Sequence, residues 1–349
     1  TVSAQGAPAG WSALARQFDA YVASDRVVGG SLAWVHDGRI VLRHHVGFAD
    51  LAAGRAVDDS TLWHWASNTK TLTAVSILQL RDRGLLSLDD PATRWVPELR
   101  QVHDPYGSID AVTVRMLLSH SSGFQNPTWP YGTGASWEPF EPTAWSQLVA
   151  MMPWQELRFA PGSRYGYSNP AYIYLARIIE SLTGDPWTVY VQQNLWTPLG
   201  MTRSYVNRTP PYLAAHRSNR YYVEKDSAGT AAPRAAGPEF DPGVTIPNGG
   251  WNAPAEDLAT WIGFLTGTAR GAVRADSLLR RATLAERGTP VVAVGRGDGV
   301  VESMGLGFFV YEVNGRKLMG HTGDQGGFRS FMAFDPASGQ GVIGVVNTS

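Results

Sequence analysis

Cysteine is absent from this chain of 349 residues. Its absence excludes disulfides, thiolate metal sites and a cysteine nucleophile, and it fits an oxidising or a reducing compartment equally. Charge is also scarce, because charged residues make up 17% of the chain, against roughly 25% in typical soluble domains. The formal net charge of −1 gives no global field that would attract nucleic acid or an anionic membrane. We therefore expect no nucleic-acid partner.

Long apolar runs and several well-known motifs are missing as well. No stretch approaches the ~18 apolar residues needed for a membrane-spanning helix. His-Glu-x-x-His, the phosphate-binding P-loop and Gly-x-Ser-x-Gly do not occur, and we expect neither a metal nor a cofactor. Residues 1–6 do not form an intact signal peptide. They fit the end left after removal of one, so we expect an exported protein, periplasmic or secreted, with a cytoplasmic protein as the alternative.

Alternation of apolar and polar side chains predicts strands near both ends of the chain. Residues 29–36 and 40–46 flank Asp37-Gly38, which is a strong hairpin signal. Four more strands are predicted toward the C-terminus, with Asn314-Gly315 as one turn: 305–312, 317–320, 329–334 and 341–346.

Helical spacing predominates elsewhere. An amphipathic helix is predicted over 11–23 and an apolar helix over 70–81. From about 88 to 241, where proline and tryptophan are frequent, the predicted segments are helical: 112–119, 170–182 and 185–195. Asn169 as the cap and Gly184 just past the end define the middle segment.

These patterns indicate an α+β fold, in which an antiparallel sheet built from both ends of the chain is flanked by helices and a mostly helical domain is inserted. We assign residues 1–90 and 242–349 to the sheet domain and residues 91–241 to the inserted domain. The cleft between two such parts is a usual place for a small-molecule site, and we expect the active site there.

Ser67 and Lys70 form a Ser-x-x-Lys motif. A serine hydroxyl is a poor nucleophile until a base removes its proton, and a lysine one helical turn further lies on the same side. The motif also arises by chance, as a capping serine followed by a solvated lysine. Because the chain has only three lysines, Lys70, Lys225 and Lys317, we favour a nucleophile and its amine partner.

A second motif, Tyr167-Ser168-Asn169, offers a phenol and a carboxamide. A nearby ammonium would lower the phenol pKa from about 10 and let the phenolate act as a general base. Asn169 could orient Lys70 and bind a substrate carbonyl. The alternatives are a core tyrosine and a capping asparagine, and Tyr205-Val206-Asn207 repeats the pattern elsewhere.

The third motif, His321-Thr322-Gly323, lies on a predicted strand. Glycine at a strand edge lets a ligand approach the backbone closely. Taken in order, the three motifs resemble those of class C β-lactamases, penicillin-binding proteins and family VIII carboxylesterases, which share the β-lactamase-like fold. Further segments add to the resemblance, which covers roughly residue 10 to the end: 117–124, 159–169, 249–251 and 255–259.

The resemblance implies an acyl-enzyme mechanism without a cofactor. Ser67 would attack a carbonyl, and Tyr167, assisted by Lys70, would take its proton and later pass it to the leaving group. His120, within 117–124, is expected to be structural. The substrate-binding and oxyanion positions would be Asn169, His321, Thr322, Gly323 and Asp324. Of these, Asp324 would supply one oxyanion N–H group and Ser67 the other.

Two departures from the family pattern affect the interpretation. Most β-lactamases of this class have lysine where His321 stands, and histidine is mostly neutral at pH 7. Esterase and D-aminopeptidase branches resemble this chain more closely there. Family members usually also have a long helix after the strand ending near Asn347. We expect either a truncated sequence or another surface over that face of the sheet.

We therefore expect a carboxylesterase whose partner is a small ester. A D-amino-acid amidase or peptidase and a class C-type β-lactamase are the nearest alternatives, and a non-catalytic penicillin-binding or sensor protein is the alternative from another class. The acyl and leaving groups, the stereochemical preference and the oligomeric state stay open. The role of the tryptophan-rich segment 129–154, as a substrate pocket or as packing, stays open too.

Overall fold

The computed structural model describes Pro8 and residues 10–124, 142–225, 231–268 and 275–349. Its strands are β1 (Gly29–His36), β2 (Arg39–Asp50), β3 (Arg55–Ala56), β4 (Trp63–Ala66), β5 (Tyr221–Lys225), β6 (Ala231–Ala235), β7 (Trp251–Ala253), β8 (Val292–Gly297), β9 (Val300–Met304), β10 (Phe309–Val313), β11 (Arg316–Gln325), β12 (Phe328–Asp335) and β13 (Gln340–Val346). Its α-helices are α1 (Trp11–Ser24), α2 (Lys70–Asp82), α3 (Val114–Leu118), α4 (Trp145–Met151), α5 (Asn169–Thr183), α6 (Trp187–Val191), α7 (Thr197–Leu199), α8 (Ile246–Gly249), α9 (Ala255–Leu265), α10 (Ala275–Leu278) and α11 (Arg281–Glu286).

A large antiparallel sheet joins the two ends of the chain. Its strand order is β3-β2-β1-β13-β12-β11-β10-β9-β8, so the N-terminal hairpin lies beside the last strand. β1 and β13 pair from Gly30 with Val346 to His36 with Gln340. This arrangement confirms the predicted α+β fold with an antiparallel sheet flanked by helices. The division of the chain at residues 90 and 242 stays a prediction.

Turn chemistry accounts for the hairpins. Both residues of Asp37-Gly38 and of Asn314-Gly315 have φ between 49° and 73°, as the two-residue turns that match strand twist require. The hairpin of β8 and β9 was not predicted, although Asp298-Gly299 repeats the same signal with φ of 49° and 77°. β11 runs from Arg316 to Gln325, beyond the predicted bounds 317–320, and it includes the third motif, as the sequence indicates.

α2 is buried from Lys70 to Leu80, although its sequence includes several hydroxyl residues. Those hydroxyls donate hydrogen bonds to carbonyl oxygens inside the protein. Thr71 Oγ1 donates to the Asn68 carbonyl oxygen at 2.7 Å, and Thr73 Oγ1 donates to the Pro247 carbonyl oxygen at 2.6 Å. Because buried polar groups are costly only when unpaired, this helix can pass through the core beside α5 and α8.

Two helices differ from their predicted forms. The N-cap of α5 is Ser168, whose Oγ accepts a hydrogen bond from the Ala171 N–H at 3.2 Å. The predicted cap, Asn169, is therefore wrong by one residue, and its carboxamide is used elsewhere. The predicted helix 185–195 is divided, because α6 is followed by a π-helical turn over Gln192–Trp196 and then by α7. Within the described ranges, none of the helices has both the length and the apolar character that crossing a bilayer demands.

α9 packs on the β1–β2 hairpin through two glycines. A Cβ on Gly263 would lie 2.6 Å from the Gly38 Cα, so a larger residue would push the helix away from the sheet. We expect Gly263→Val to lower the free energy of unfolding by about 1–3 kcal/mol, as measured by urea denaturation. Gly295→Val is the control, because a Cβ there meets nothing within 4 Å. Equal stability of the two variants would contradict this packing argument.

Candidate active site

Ser67 follows β4 and begins a single 3₁₀ turn that leads into α2. Ala66, just before it, has φ of 48° and ψ of −130°, a conformation that residues with a Cβ rarely adopt. Such strain persists only where the surrounding structure holds it. Here the buried strand β4 pairs with β7 and fixes the turn. The turn presents Ser67 at the wall of a cavity.

Lys70 lies one helical turn after Ser67 and is buried. Its Nζ is 3.0 Å from Ser67 Oγ, 2.8 Å from Asn169 Oδ1 and 2.8 Å from the Asn248 carbonyl oxygen. Burial lowers the pKa of Lys70 well below its usual value. None of the three partners is a carboxylate that would oppose the shift. Lys70 can therefore stand next to Ser67 as a neutral amine, which is a base.

Tyr167 is hydrogen-bonded to Ser67, and its ring centroid is 5.0 Å from Lys70 Nζ. Burial raises the pKa of the phenol well above its usual range. The expectation that a neighbouring ammonium lowers this pKa is wrong, because desolvation dominates and also favours the uncharged form of Lys70. At neutral pH the phenol therefore keeps its proton, and the amine is the group available to act as a base.

Asn169 and Asn248 complete the surroundings of Lys70. Asn169 Oδ1 accepts from Lys70 Nζ and from Asn248 Nδ2, the second at 3.1 Å. Asn248 lies on the short helix α8 and is buried. The neighbouring segment 249–251 carries part of the family resemblance, but no sequence motif indicates Asn248. Asn248 contacts Lys70 through its backbone carbonyl oxygen. Every residue has this group, so the residue type at position 248 does not predict the contact.

His120 holds the segment that carries Tyr167. Its Nδ1 accepts a hydrogen bond from the Ser168 N–H at 3.1 Å, and its carbonyl oxygen accepts one from the Gly166 N–H at 2.8 Å. Its ring packs on the Tyr167 ring with centroids 4.4 Å apart. Burial, Lys70 and His321 lower the pKa of His120 well below its usual value, so the imidazole stays neutral and Nδ1 stays an acceptor.

His321 lies beneath the cavity and does not line it. Its buried ring sits between Phe309 and Tyr167, with centroids 5.2 and 6.3 Å away. Nδ1 lies 2.6 Å from the Thr322 carbonyl oxygen and donates its proton there. Burial and Lys70 lower the pKa of His321 to about 3, so it carries no charge at neutral pH.

The rest of the third motif does line the cavity, at Thr322, Gly323 and Asp324. The sequence suggests that Gly323 lets a ligand approach the backbone, but the structure gives a different reason for glycine at this position. A Cβ on Gly323 would lie 2.5 Å from the Trp65 carbonyl oxygen and 2.6 Å from Ser330 Oγ. Glycine is therefore needed where β11 packs against β4.

The cavity has a volume of about 570 Å³. Ser67, Tyr167 and Asn169 form one part of its wall, together with β11. The remainder of the wall comes from α1 and from strands β12 and β13: Phe18, Tyr21, Arg329, Ser330, Phe331, Gly344, Val345 and Val346. One cavity thus brings together Ser67, Tyr167, Asn169, Thr322, Gly323 and Asp324, with Lys70 behind Ser67.

Part of the tryptophan-rich segment 129–154 lies outside the described residues, including Trp129, Tyr131, Trp137 and Phe140. The Arg177 guanidinium lies over the Trp145 ring, 4.9 Å from its centroid, and Trp154 is exposed. Neither lines the cavity at Ser67. Over the ranges that the structure describes, no three histidine or carboxylate side chains are grouped so as to hold a metal ion.

Residues 14–349 match the model of the Beta-lactamase family. The chain belongs to this family, and the match covers nearly all of it. Protein flp of Staphylococcus aureus (strain COL) is 24% identical over 336 residues, which are 95% of this chain and 63% of that protein. Esterase EstB of Burkholderia gladioli is 35% identical over 197 residues, which are 53% of this chain and 48% of the esterase. The chain thus spans less than two thirds of the length of these relatives.

Solved structures show the same fold. The octameric penicillin-binding protein homologue from Pyrococcus abyssi has a TM-score of 0.80 at 27% identity, covering 97% of this chain and 74% of that chain. The D-amino acid amidase from Ochrobactrum anthropi SV3, in complex with L-phenylalanine amide, has a TM-score of 0.76 at 23% identity, covering 96% and 90%. The protein has the β-lactamase fold.

The hydrogen bond from the Ser168 N–H to His120 Nδ1 predicts how substitutions of His120 change stability. His120→Phe keeps a ring beside Tyr167 but leaves the buried Ser168 N–H without an acceptor, which costs about 1–3 kcal/mol. His120→Asn should lose less, because asparagine Oδ1 can replace Nδ1 and asparagine tolerates the φ of 54° at this position. Urea denaturation measures both variants. A phenylalanine variant as stable as the asparagine variant would show that the Ser168 bond contributes nothing.

Proposed function

We propose that the protein is a serine hydrolase that acts through an acyl-enzyme on small uncharged carboxylic esters. The proposal rests on the 3.0 Å contact between the buried Lys70 Nζ and Ser67 Oγ. A base positioned beside a hydroxyl is what a serine nucleophile requires. A protein that only binds ligands has no use for this contact, which argues against a non-catalytic penicillin-binding or sensor protein.

Acylation begins when Ser67 Oγ attacks the ester carbonyl carbon and its proton passes to the neutral Lys70 amine. The oxyanion accepts hydrogen bonds from the backbone N–H groups of Ser67 and Asp324. β10 pairs with β11 only as far as Gly320, which supports an open edge of β11 at Asp324. Each well-aimed donor of this kind is worth about 3–4 kcal/mol in the transition state.

Tyr167 then gives its phenolic proton to the departing alkoxide as the carbonyl carbon–oxygen bond breaks. The new Lys70 ammonium stabilises the phenolate that remains. In deacylation, water attacks the acyl carbon and gives a proton to the phenolate, while Lys70 returns its proton to Ser67 Oγ. One ester and one water become one acid and one alcohol, and the cycle needs no cofactor.

The cavity supports an uncharged, partly apolar substrate. Phe18, Phe331 and Val346 line the same cavity as Ser67. Arg329 also lines it, but its guanidinium is 3.5 Å from the Asp25 carboxylate and 3.4 Å from Asp324, which offset its charge. The neutral His321 adds no cation for a substrate carboxylate. The likeness to an esterase of Burkholderia gladioli agrees with this preference.

D-amino-acid amides are the second candidate substrates. Asp25 and Asp324 together outweigh Arg329 and leave this edge of the cavity net negative, which would attract the ammonium group of an amino-acid amide. The shared fold of the D-amino acid amidase agrees with this candidate. The same charge would repel the carboxylate of a β-lactam, so β-lactamase activity ranks third.

Covalent chemistry should depend on Ser67. Ser67→Ala should abolish labelling by a fluorescent phosphonate while the protein stays folded. Lys70→Arg and Tyr167→Phe should each slow labelling by roughly 100-fold or more, because a positioned proton-transfer group is lost. Mass spectrometry of the labelled peptide identifies the site. Undiminished labelling of Ser67→Ala would show that the nucleophile lies elsewhere.

The pH dependence of ester hydrolysis should follow Lys70. The neutral amine is the active form, so kcat/KM rises as pH rises through the Lys70 pKa and levels off above it. Because burial lowers that pKa, the rise should be complete well below pH 10, near which free lysine titrates. We would measure p-nitrophenyl acetate hydrolysis from pH 5 to 10.5. A rate that still climbs tenfold per unit near pH 10 would contradict a neutral Lys70.

Substrate preference separates the candidates. Neutral p-nitrophenyl esters should give the highest kcat/KM, D-amino-acid amides should follow, and nitrocefin should be slowest. The expected order reflects apolar lining and a net negative edge, which disfavours anions by charge repulsion. L-amino-acid amides are the control for stereochemical preference. Faster turnover of nitrocefin than of any ester would show that the esterase assignment is wrong.

A further inference from the structure

Asn248 touches the surroundings of Lys70 twice, from a helix remote in sequence from the three motifs. Its carbonyl oxygen accepts from Lys70 Nζ at 2.8 Å. Its Nδ2 donates at 3.1 Å to Asn169 Oδ1, which itself accepts from Lys70 Nζ at 2.8 Å. With 4% of its surface exposed, Asn248 does not line the cavity at Ser67. Its contacts therefore act on Lys70 and Asn169, not on a ligand.

The geometry of an amine explains why these contacts matter. A neutral lysine has two N–H donors and one lone pair, whereas a carbonyl oxygen can only accept. The two carbonyl oxygens at Asn248 and Asn169 therefore take the two N–H groups of Lys70. The third neighbour, Ser67 Oγ, is a hydroxyl that can donate, and the lone pair is left to face it.

The side chain of Asn248 decides which end of the Asn169 carboxamide faces Lys70. Since Nδ2 of Asn248 is a donor, it pairs with Oδ1 of Asn169 and keeps that oxygen turned toward Lys70. If the carboxamide were turned over, its NH₂ group would face other donors. Asn248 thus orients one acceptor and supplies the other.

We propose that Asn248 is a positioning residue that directs the lone pair of Lys70 at Ser67 and keeps an anion away from it. The proposal rests on the acyl-enzyme mechanism proposed above. Asn248 Oδ1 is buried and has no hydrogen-bond partner within the described part of the chain. Aspartate has nearly the same shape as asparagine. At position 248 its carboxylate would be separated from Lys70 Nζ by the Asn169 Oδ1 atom alone.

The other titratable groups around Lys70 are uncharged when the amine is neutral. Tyr167 and Tyr172 present ring faces with centroids 5.0 and 5.6 Å from Nζ. His120 and His321 both interact with Lys70, and the pKa of each is lowered. Among the described residues, no carboxylate contributes to the pKa of Lys70. A carboxylate at position 248 would therefore be the first anion in this group.

Asn248→Asp tests the proposal through the pH dependence of phosphonate labelling at Ser67, which requires no knowledge of the natural substrate. An opposite charge at 4–6 Å raises a lysine pKa by about one unit or more. The acidic limb of labelling should therefore move to higher pH by about one unit or more, and labelling at pH 7 should fall at least tenfold. Because aspartate also lacks the N–H group that donates to Asn169, the high-pH rate should stay below that of the wild type. Asn194→Asp makes the same chemical change beside Arg83, away from the site, and should leave the profile unchanged.

A folded Asn248→Asp protein whose acidic limb coincides with that of the wild type would overturn the proposal. If that variant fails to fold, Asn248→Ala provides the second test. It removes the donor to Asn169, and labelling should slow at least tenfold at every pH. Wild-type labelling rates in the alanine variant would also overturn the proposal.

The outcomes separate this proposal from the proposed substrate. A wild type that is labelled at Ser67 but hydrolyses no ester would contradict the esterase assignment and leave the Asn248 test intact. A wild type that is not labelled at Ser67 at all would contradict both.

Discussion

The site depends on one buried amine whose hydrogen-bond partners are three oxygen atoms. Lys70 is buried, its Nζ lies 2.8–3.0 Å from three oxygens, and none of these is a carboxylate. Removing a charge from water without a counter-ion is costly, so burial lowers the pKa of Lys70 and favours the neutral amine. The same burial keeps the Tyr167 phenol protonated. In the proposed mechanism, this one environment gives Ser67 a base in Lys70 and an acid in Tyr167.

The fold keeps Lys70 buried and holds its three oxygen partners in place. The three oxygens come from the turn before α2, from the start of α5 and from α8, so these elements must meet in one place. Pairing of β1 with β13 joins the N-terminal and C-terminal strands in one sheet. The tight contact of Gly323 with β4 then holds β11 beside Ser67. The strained Ala66 is tolerated because its neighbours on β4 and β7 are buried.

Local patterns predicted the fold and the grouping of the candidate site residues better than the electrostatics around them. Ser67 and Lys70 meet because their spacing is one helical turn, and Asp37-Gly38 forms a hairpin because its residues accept positive φ. The Asn248 contact could not be predicted, since it uses a backbone carbonyl 178 positions from Lys70 in sequence. The burial of His321 depends on which face of β11 meets the core. The raised pKa of Tyr167 likewise follows from burial, which a motif does not specify.

The most direct test of this account is the ionisation of Lys70 itself. Protein labelled with ¹³C at lysine Cε gives three lysine signals, because the chain contains only Lys70, Lys225 and Lys317. Lys70→Arg identifies the Lys70 signal by its loss. A titration followed by NMR should show the Lys70 signal moving well below pH 10, separately from an exposed lysine, which titrates at about 10.4. A Lys70 signal that titrates at or above that value would contradict the account.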